Sequence, residues 1–452
     1  MSTARAVTLD EIRPCFEGAI PGVMATCSAD GVPNVAYISQ VYYVDARHVA
    51  LSFQFFNTTR KNILANPVAT VLVLHPRTAA FFRLHIRYLR TETAGPLFEQ
   101  MKAQLAGIAS HSGMDGVFRL LGSDVYEVQQ IEPVPGQPLP APVPRAGLLN
   151  ALRRSSERMA RCNGMDELLN ATLGAMTDFM GIHHAMVLML DAGTQRLYTV
   201  ASSGYATSGV GSEIEMGEGV VGVAARERTP VRIGHMTSAY RYSRAMRRSL
   251  HANVPDIEPA TYIPYPGLAQ PHSQMAAPVL SAGRLLGVLF VESASDQQFS
   301  YEDEDMLVTV AGHLGAAMDL MQASTEGAEP PAPVPADARP SHTATGAVVQ
   351  VRHFGANDSV FINDTYLIKG VAGAILWKLL RDYTQQGRTD FSNRELRLDT
   401  SIGLPDVADN LEARLVLLQR RLVEHSPHIR IEKTGRGRFR LAVLRPVELV
   451  QA

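Results

Sequence analysis

Hydrophobic and polar positions change their period twice along the 452-residue chain. In the first third they alternate in short runs at 22–28, 34–44, 48–55, 68–75 and 83–93, separated by turn residues such as Ala29-Asp30-Gly31. Short runs of period two with frequent turns predict the strands of a barrel or sandwich. One helix is predicted at 59–65, where Asn57 or Thr58 can cap the start and Asn66-Pro67 ends it. In the middle third, amphipathic helical patterns at 148–162 and 303–322 flank runs at 184–191, 196–204, 229–234, 274–280 and 284–293 that read as one sheet. The last third carries an alternating stretch at 360–370, an apolar-periodic helix at 372–387 and a capped segment at 392–400. A longer helix follows at 407–424, with Leu411, Leu415, Leu418 and Leu422 on one stripe, and then a basic, Gly-containing hairpin at 428–443.

Two segments break these patterns, 132–145 and 326–342, both rich in Pro and Ala and without periodic apolar residues. They read as extended, semi-rigid linkers. The predicted organisation is 1–131, a linker at 132–147, 148–322, a linker at 323–344, and 345–452, a multidomain α+β chain. Its length suits about three domains, since a single core rarely grows past roughly 250 residues. No run approaches the ~18 apolar residues of a membrane span, and the N-terminus has no signal-peptide core. Cys15, Cys27 and Cys162 lie far apart, in neither CxxC nor metal spacing, which suits buried structural thiols. The expectation is a cytoplasmic protein with no membrane partner and no metal site. A formal charge of −2 excludes nothing about partners, so charge is informative only locally.

Three local patterns bear on chemistry. In "FQFFNTTRKNILANP" (53–67) a strand enters a tight loop and then a helix start carrying Thr58, Thr59, Arg60 and Lys61. Free backbone N–H groups, two hydroxyls and two cations suit a terminal phosphate, and they equally suit a capped surface helix with a solvated basic pair. Gly217-x-Gly219-x-x-Gly222 matches a dinucleotide fingerprint, yet no acidic residue follows at about 20 positions, so glycines turning a strand into a helix are the better reading. His183 and His184 read either as haem or metal ligands or, as is usual at a helix-to-strand junction, as structural. The insertion 235–273 holds Tyr240, Arg241, Tyr242, Arg244, Arg247 and Arg248, which read either as a solvated surface helix or as a lid over an anionic ligand. From 414 to 440 there are eight Arg and Lys but two acids, Glu424 and Glu432. Such a strip on a helix and hairpin is an electrostatic footprint for phosphates.

Residues 8–132 resemble the pyridoxamine-phosphate-oxidase-like, FMN-binding split barrels, through a leading helix, Asp-Gly-x-Pro at 30–33, the strand–TTRK–helix–NP unit and the closing run "DVYEVQQIEPV". The resemblance implies FMN as cofactor, its phosphate held by Thr59, Arg60 and Lys61, with Gln54 and Phe55 flanking the flavin. The family's C-terminal Arg-x-His pair is missing, which argues against pyridoxine-phosphate oxidation. The middle segment resembles a GAF domain through "MGEGVVGVAARERTPVRI", "MAAPVLSAGRLLGVLFVES" and "FSYEDEDMLVTVAGHLGAAM". This implies an α/β sensory sheet with flanking helices, a small-molecule effector and a homodimer. No cysteine falls where a linked bilin is expected. Residues 347–443 resemble the winged-helix effector of OmpR/PhoB-type response regulators, with a wing ending in Arg438-Phe439-Arg440-Leu441. This implies DNA as partner, contacted by Arg414, Arg420 and Arg421 of the long helix and by Lys433, Arg436 and Arg438 of the wing. Arg414 and Arg421 share one stripe and Arg420 the open side, whereas Val416 and Leu417 stand where the family usually has cations.

With no GxSxG, HExxH, P-loop or kinase signature, no catalytic residue is assigned. The expected function is a signal-responsive transcriptional regulator. The alternative is an FMN-dependent oxidoreductase that its other two modules regulate or assemble.

Overall fold

The computed structural model describes residues 7–16, 20–54, 57–111, 119–140, 147–234, 263–326, 346–404 and 410–451. Phe55, the six insertion residues from Tyr240 to Arg248 and most of the second Pro-rich segment lie outside them.

The N-terminal module is a seven-stranded sheet in the order β2-β1-β5-β6-β7-β4-β3. Its strands are β1 (Gly22–Cys27), β2 (Pro33–Ile38), β3 (Val41–Asp45), β4 (His48–Phe53), β5 (Val68–Leu74), β6 (Phe81–Glu92) and β7 (Gly122–Pro133). Helix Thr58–Ala65 lies between β4 and β5, and helix Pro96–His111 between β6 and β7. The run read as one strand over 34–44 is two, because the chain turns at Gln40. That residue is fully buried, and its side chain donates to Gln104 on the second helix at 2.5 Å. Alternate residues of the strands, among them Met24, Leu51, Val71, Leu84, Ile86 and Tyr126, close one apolar core.

The middle module is an antiparallel sheet in the order β10-β9-β8-β13-β12-β11, built from β8 (His184–Asp191), β9 (Arg196–Ser203), β10 (Glu213–Glu215), β11 (Val231–Ile233), β12 (Ser273–Ser281) and β13 (Arg284–Ser293). Ala185, Val187, Met189, Met275, Ala277, Leu289 and Val291 face the helices Leu148–Ala160, Met165–Met180 and Tyr301–Glu326. Met186, Leu188, Ala276, Val288 and Phe290 face the helix Gly219–Glu227 on the other side. Burial on both faces explains why these strands read as continuous apolar runs.

The C-terminal module starts with β14 (Val349–Phe354), β15 (Ser359–Ile362) and β16 (Thr365–Ile368), joined by β20 (Val447–Gln451) parallel to β14. Helices Gly370–Gln386, Asn393–Leu398 and Leu411–His425 follow, and then the hairpin β18 (Ile429–Gly435) and β19 (Arg438–Val443), with β17 (Asp390–Ser392) as its third strand. Ser392 and Glu395 form a capping box at the second helix. One apolar cluster runs without a break from the middle module into this one. Among the described helices, none is long and apolar enough to cross a membrane.

Candidate functional site

The N-terminal module holds a cavity of about 80 Å³ at the start of helix Thr58–Ala65. Met24, Tyr37, Leu51, Phe53 and Tyr126 form its apolar side; Gln54, Thr59, Arg60 and Asp124 form its polar side. Asn57 caps the helix by accepting the Arg60 N–H at 3.0 Å. Thr59 is buried, and its hydroxyl accepts from Asn34 Nδ2 at 2.8 Å. Gln54 is also buried; its Nε2 donates to Ser52 Oγ at 3.4 Å, whereas its Oε1 has no hydrogen-bond partner. Lys61 is exposed.

Arg60 turns inward, unlike its neighbour. Nη1 donates to both Asp124 oxygens at 2.5 Å, and Nη2 to Thr91 Oγ at 2.8 Å. The guanidinium lies 4.5 Å from the Phe53 ring centroid. Burial works against its charge, but Asp124 outweighs burial and holds its pKa above the usual arginine value. Burial also pushes the Tyr126 phenol up, so it stays protonated. Asp124 and Thr91 lie 64 and 31 residues from Arg60, on β7 and β6, and no local pattern singles them out in the sequence.

The second candidate lies on the Leu411–His425 helix. Asn410 accepts the Ala413 N–H and starts it. Leu411, Leu418 and Leu422 are buried on the side facing the module's own core. The cations occupy other places than a solvent-facing helix would give them. Arg414 is buried, 3.1 Å from Asp191 of β8 and 4.5 Å from the Tyr198 ring centroid of β9. Arg421 is buried within its own module, donating to the Leu367 carbonyl at 2.9 Å; burial, opposed by Glu424, lowers its pKa. Arg420 is not on the open side. Its guanidinium donates to Asp166 at 2.7 Å, to Asn170 Oδ1 at 2.7 Å and to the Val200 carbonyl at 3.0 Å, all in the middle module. Glu424 accepts from Ser208 Oγ at 2.5 Å.

Ala413, Leu417, Arg420 and Glu424 follow one another at three- and four-residue steps, so they form one stripe. Through Arg420 and Glu424 that stripe faces the middle module. The aliphatic Val416 and Leu417 are thus buried residues of an inter-module seam. Of the hairpin cations, Lys433 and Arg438 are exposed at the rim of an inter-module cleft of about 340 Å³, and Arg436 bonds to Ser324.

The glycine motif has a structural role. Gly217 and Gly219 have φ of +92° and +60°, and a Cβ on Gly222 would lie 2.3 Å from the Glu215 carbonyl oxygen. The glycines therefore seat the Gly219–Glu227 helix against the strand before it. His184 packs against Tyr205, and no group of metal-ligating side chains occurs among the described residues.

Residues 8–132 match the family model described as Pyridoxamine 5'-phosphate oxidase, and residues 162–319 match the one described as GAF domain. The N-terminal module is therefore a pyridoxamine-phosphate-oxidase-like domain, and the middle module is a GAF domain. Among solved structures, the chain is similar to the GAF domain of an Acinetobacter phosphoenolpyruvate-protein phosphotransferase (22% identity, covering 40% of this chain and 97% of that one, TM-score 0.32). It is similar to a free methionine-R-sulfoxide reductase from Neisseria meningitidis solved with its substrate (19%, 41% and 96%, TM-score 0.31). It is also similar to an FMN-binding protein from Syntrophomonas wolfei (18%, 27% and 88%, TM-score 0.23). No curated protein matches the chain.

Set against flavin mononucleotide, the two ends of the barrel cavity differ. The ring end fits, with apolar and aromatic walls and the unpartnered Gln54 Oε1 to meet a ring N–H. The phosphate end does not, because Asp124 already neutralises Arg60 and leaves Lys61 as the one free cation among the described residues of that motif.

Proposed function

We propose that the chain is a signal-responsive regulator. The barrel and GAF domain sense a small molecule or redox state, and a C-terminal winged helix of OmpR/PhoB type delivers the response to DNA. The observation that carries the reading is the seam: the helix that would enter the major groove is held by Asp166, Asn170 and Asp191 of the sensory domain. A domain that binds an effector can then control access to that helix, provided the effector distinguishes the seated from the released arrangement. The exposed hairpin cations Arg430, Lys433 and Arg438 support a phosphate-facing wing.

The test is selection of genomic fragments with the full chain and with Asp166→Ala/Asp191→Ala, which removes the two acids of the GAF side of the seam and leaves every arginine in place. The variant should bind DNA at least about tenfold more tightly than wild type, with a slope of about −0.9 in log K per phosphate contact against log salt. Absence of binding by both proteins at low salt overturns the reading.

The partner is proposed to be a second copy of the chain as well as DNA. Leu149 and Leu320, on the helices that flank the GAF sheet, are 81% and 71% exposed. Light scattering at micromolar concentration should give twice the chain mass; a strictly monomeric mass refutes the dimer. A second reading, a flavin-dependent oxidoreductase, draws on the barrel cavity and its buried Gln54, and NAD(P)H turnover by a yellow protein would favour it.

A further inference from the structure

We propose that Asp124 sets how the barrel treats a phosphate on its ligand: its carboxylate occupies Arg60 as an internal anion that an incoming phosphate must displace. The proposal rests on the reading of the barrel as a flavin site and concerns which flavin it holds.

The geometry is that of an occupied anion site. The Arg60 and Asp124 side chains are 11% and 9% exposed, so the pair is a nearly buried part of the cavity wall. Thr91 Oγ donates to Asp124 Oδ1 at 2.6 Å and accepts from Arg60 Nη2, and the Tyr88 hydroxyl lies 2.7 Å from the same Thr91 oxygen. Both Asp124 oxygens are thereby engaged, and two of the three guanidinium nitrogens are used. A buried pair of this kind resists exchange, because parting it leaves an uncompensated charge away from water.

A phosphate arriving at the helix start meets Asp124 as a like charge and finds Arg60 already neutralised. The Asn57 side chain has taken the Arg60 N–H, and the Thr59 hydroxyl already accepts from Asn34. What remains is the Nε of an already paired guanidinium, the exposed Thr58, and Lys61 in solvent, where a single charge contact is screened and weak. The ring end keeps its aromatic walls and the free Gln54 oxygen. The barrel therefore holds a flavin by its ring and gains little from the phosphate, so riboflavin and FMN bind comparably. Once the Asp124 charge is removed, Arg60 is released to the phosphate.

The experiment is titration of the full-length protein with FMN and with riboflavin, followed by flavin fluorescence, for wild type, Asp124→Asn and Asp124→Asn/Arg60→Gln. Wild type should hold the two flavins within about threefold of each other. Asp124→Asn should strengthen FMN by about tenfold or more, the equivalent of one charge-assisted hydrogen bond, and leave riboflavin within about threefold. The double variant should lose that gain.

A wild-type preference for FMN of about a hundredfold overturns the proposal without any variant, as does a folded Asp124→Asn protein whose FMN affinity is unchanged or weaker. In those two cases flavin still binds, and the role of Asp124 alone falls. If neither flavin binds wild type or Asp124→Asn, the flavin reading falls and the proposal with it.

Discussion

Asp399 shows how much one side chain can carry at a turn. Its carboxylate accepts from Ser401 N at 2.9 Å and from Ser401 Oγ at 2.6 Å, capping the short turn Thr400–Ile402, and it pairs with Lys378 at 2.9 Å. The Ser401 hydroxyl bond, then Lys378, outweigh burial and lower its pKa from 3.8 to about 2. The folded value lies below the unfolded one. Its contribution is therefore complete above the unfolded value and disappears as pH falls toward the folded one. Asp399→Ala should lower stability at neutral pH by about 1–2 kcal/mol, as lost caps do. The gap from wild type in urea midpoint should be constant from about pH 7 to pH 5 and narrow below about pH 4. A gap that widens on acidification contradicts this account.

At the scale of elements, what could be read from the sequence followed periodicity, and what could not depended on partners far along the chain. Leu411, Leu415, Leu418 and Leu422 announced the long helix, and the runs at 184–191 and 284–293 announced two strands, because each pattern is local and set by burial. The helix Pro96–His111 was missed although Leu97, Met101 and Leu105 recur at its four-residue step. The break between β2 and β3 was hidden because Gln40 sits in a mostly apolar run and its side-chain N–H finds Gln104 only 64 residues away.

The same limit applied to the sites. Thr59, Arg60 and Lys61 were visible as a motif, but the fate of Arg60 was decided by Asp124 on another strand. Arg414 and Arg420 looked available to a partner because their acids, Asp191 and Asp166, belong to a different module. Val416 and Leu417 were the one local warning: aliphatic residues among cations fit a face that is covered.

At the scale of the whole molecule, the modules are not equally independent. The GAF domain and the C-terminal module share one apolar cluster, whereas the barrel has its own cores and meets the GAF domain where its Pro96–His111 helix packs on the Gly219–Glu227 helix and β11, with the Lys102–Glu227 pair and the bond from Arg77 to the Gln297 carbonyl. Modules that share a continuous core unfold together, and those with separate cores can unfold separately. Calorimetry of the full chain should thus show two transitions, one for the barrel and one for the fused pair. Leu417 is the residue on which this fusion can be tested, since it is buried on the seam stripe beside Arg420. Leu417→Asp puts a carboxylate on that buried stripe, three residues from both Arg414 and Arg420, where it replaces apolar packing and competes with Asp191 and Asp166 for them, at a cost of about 3–5 kcal/mol. That cost falls on the docked arrangement. The second transition should move down in temperature and split into two, while the barrel transition stays in place. A single shifted transition would mean that the aspartate has damaged the C-terminal core instead of the seam, and that the GAF domain and the helix it holds cannot part without unfolding.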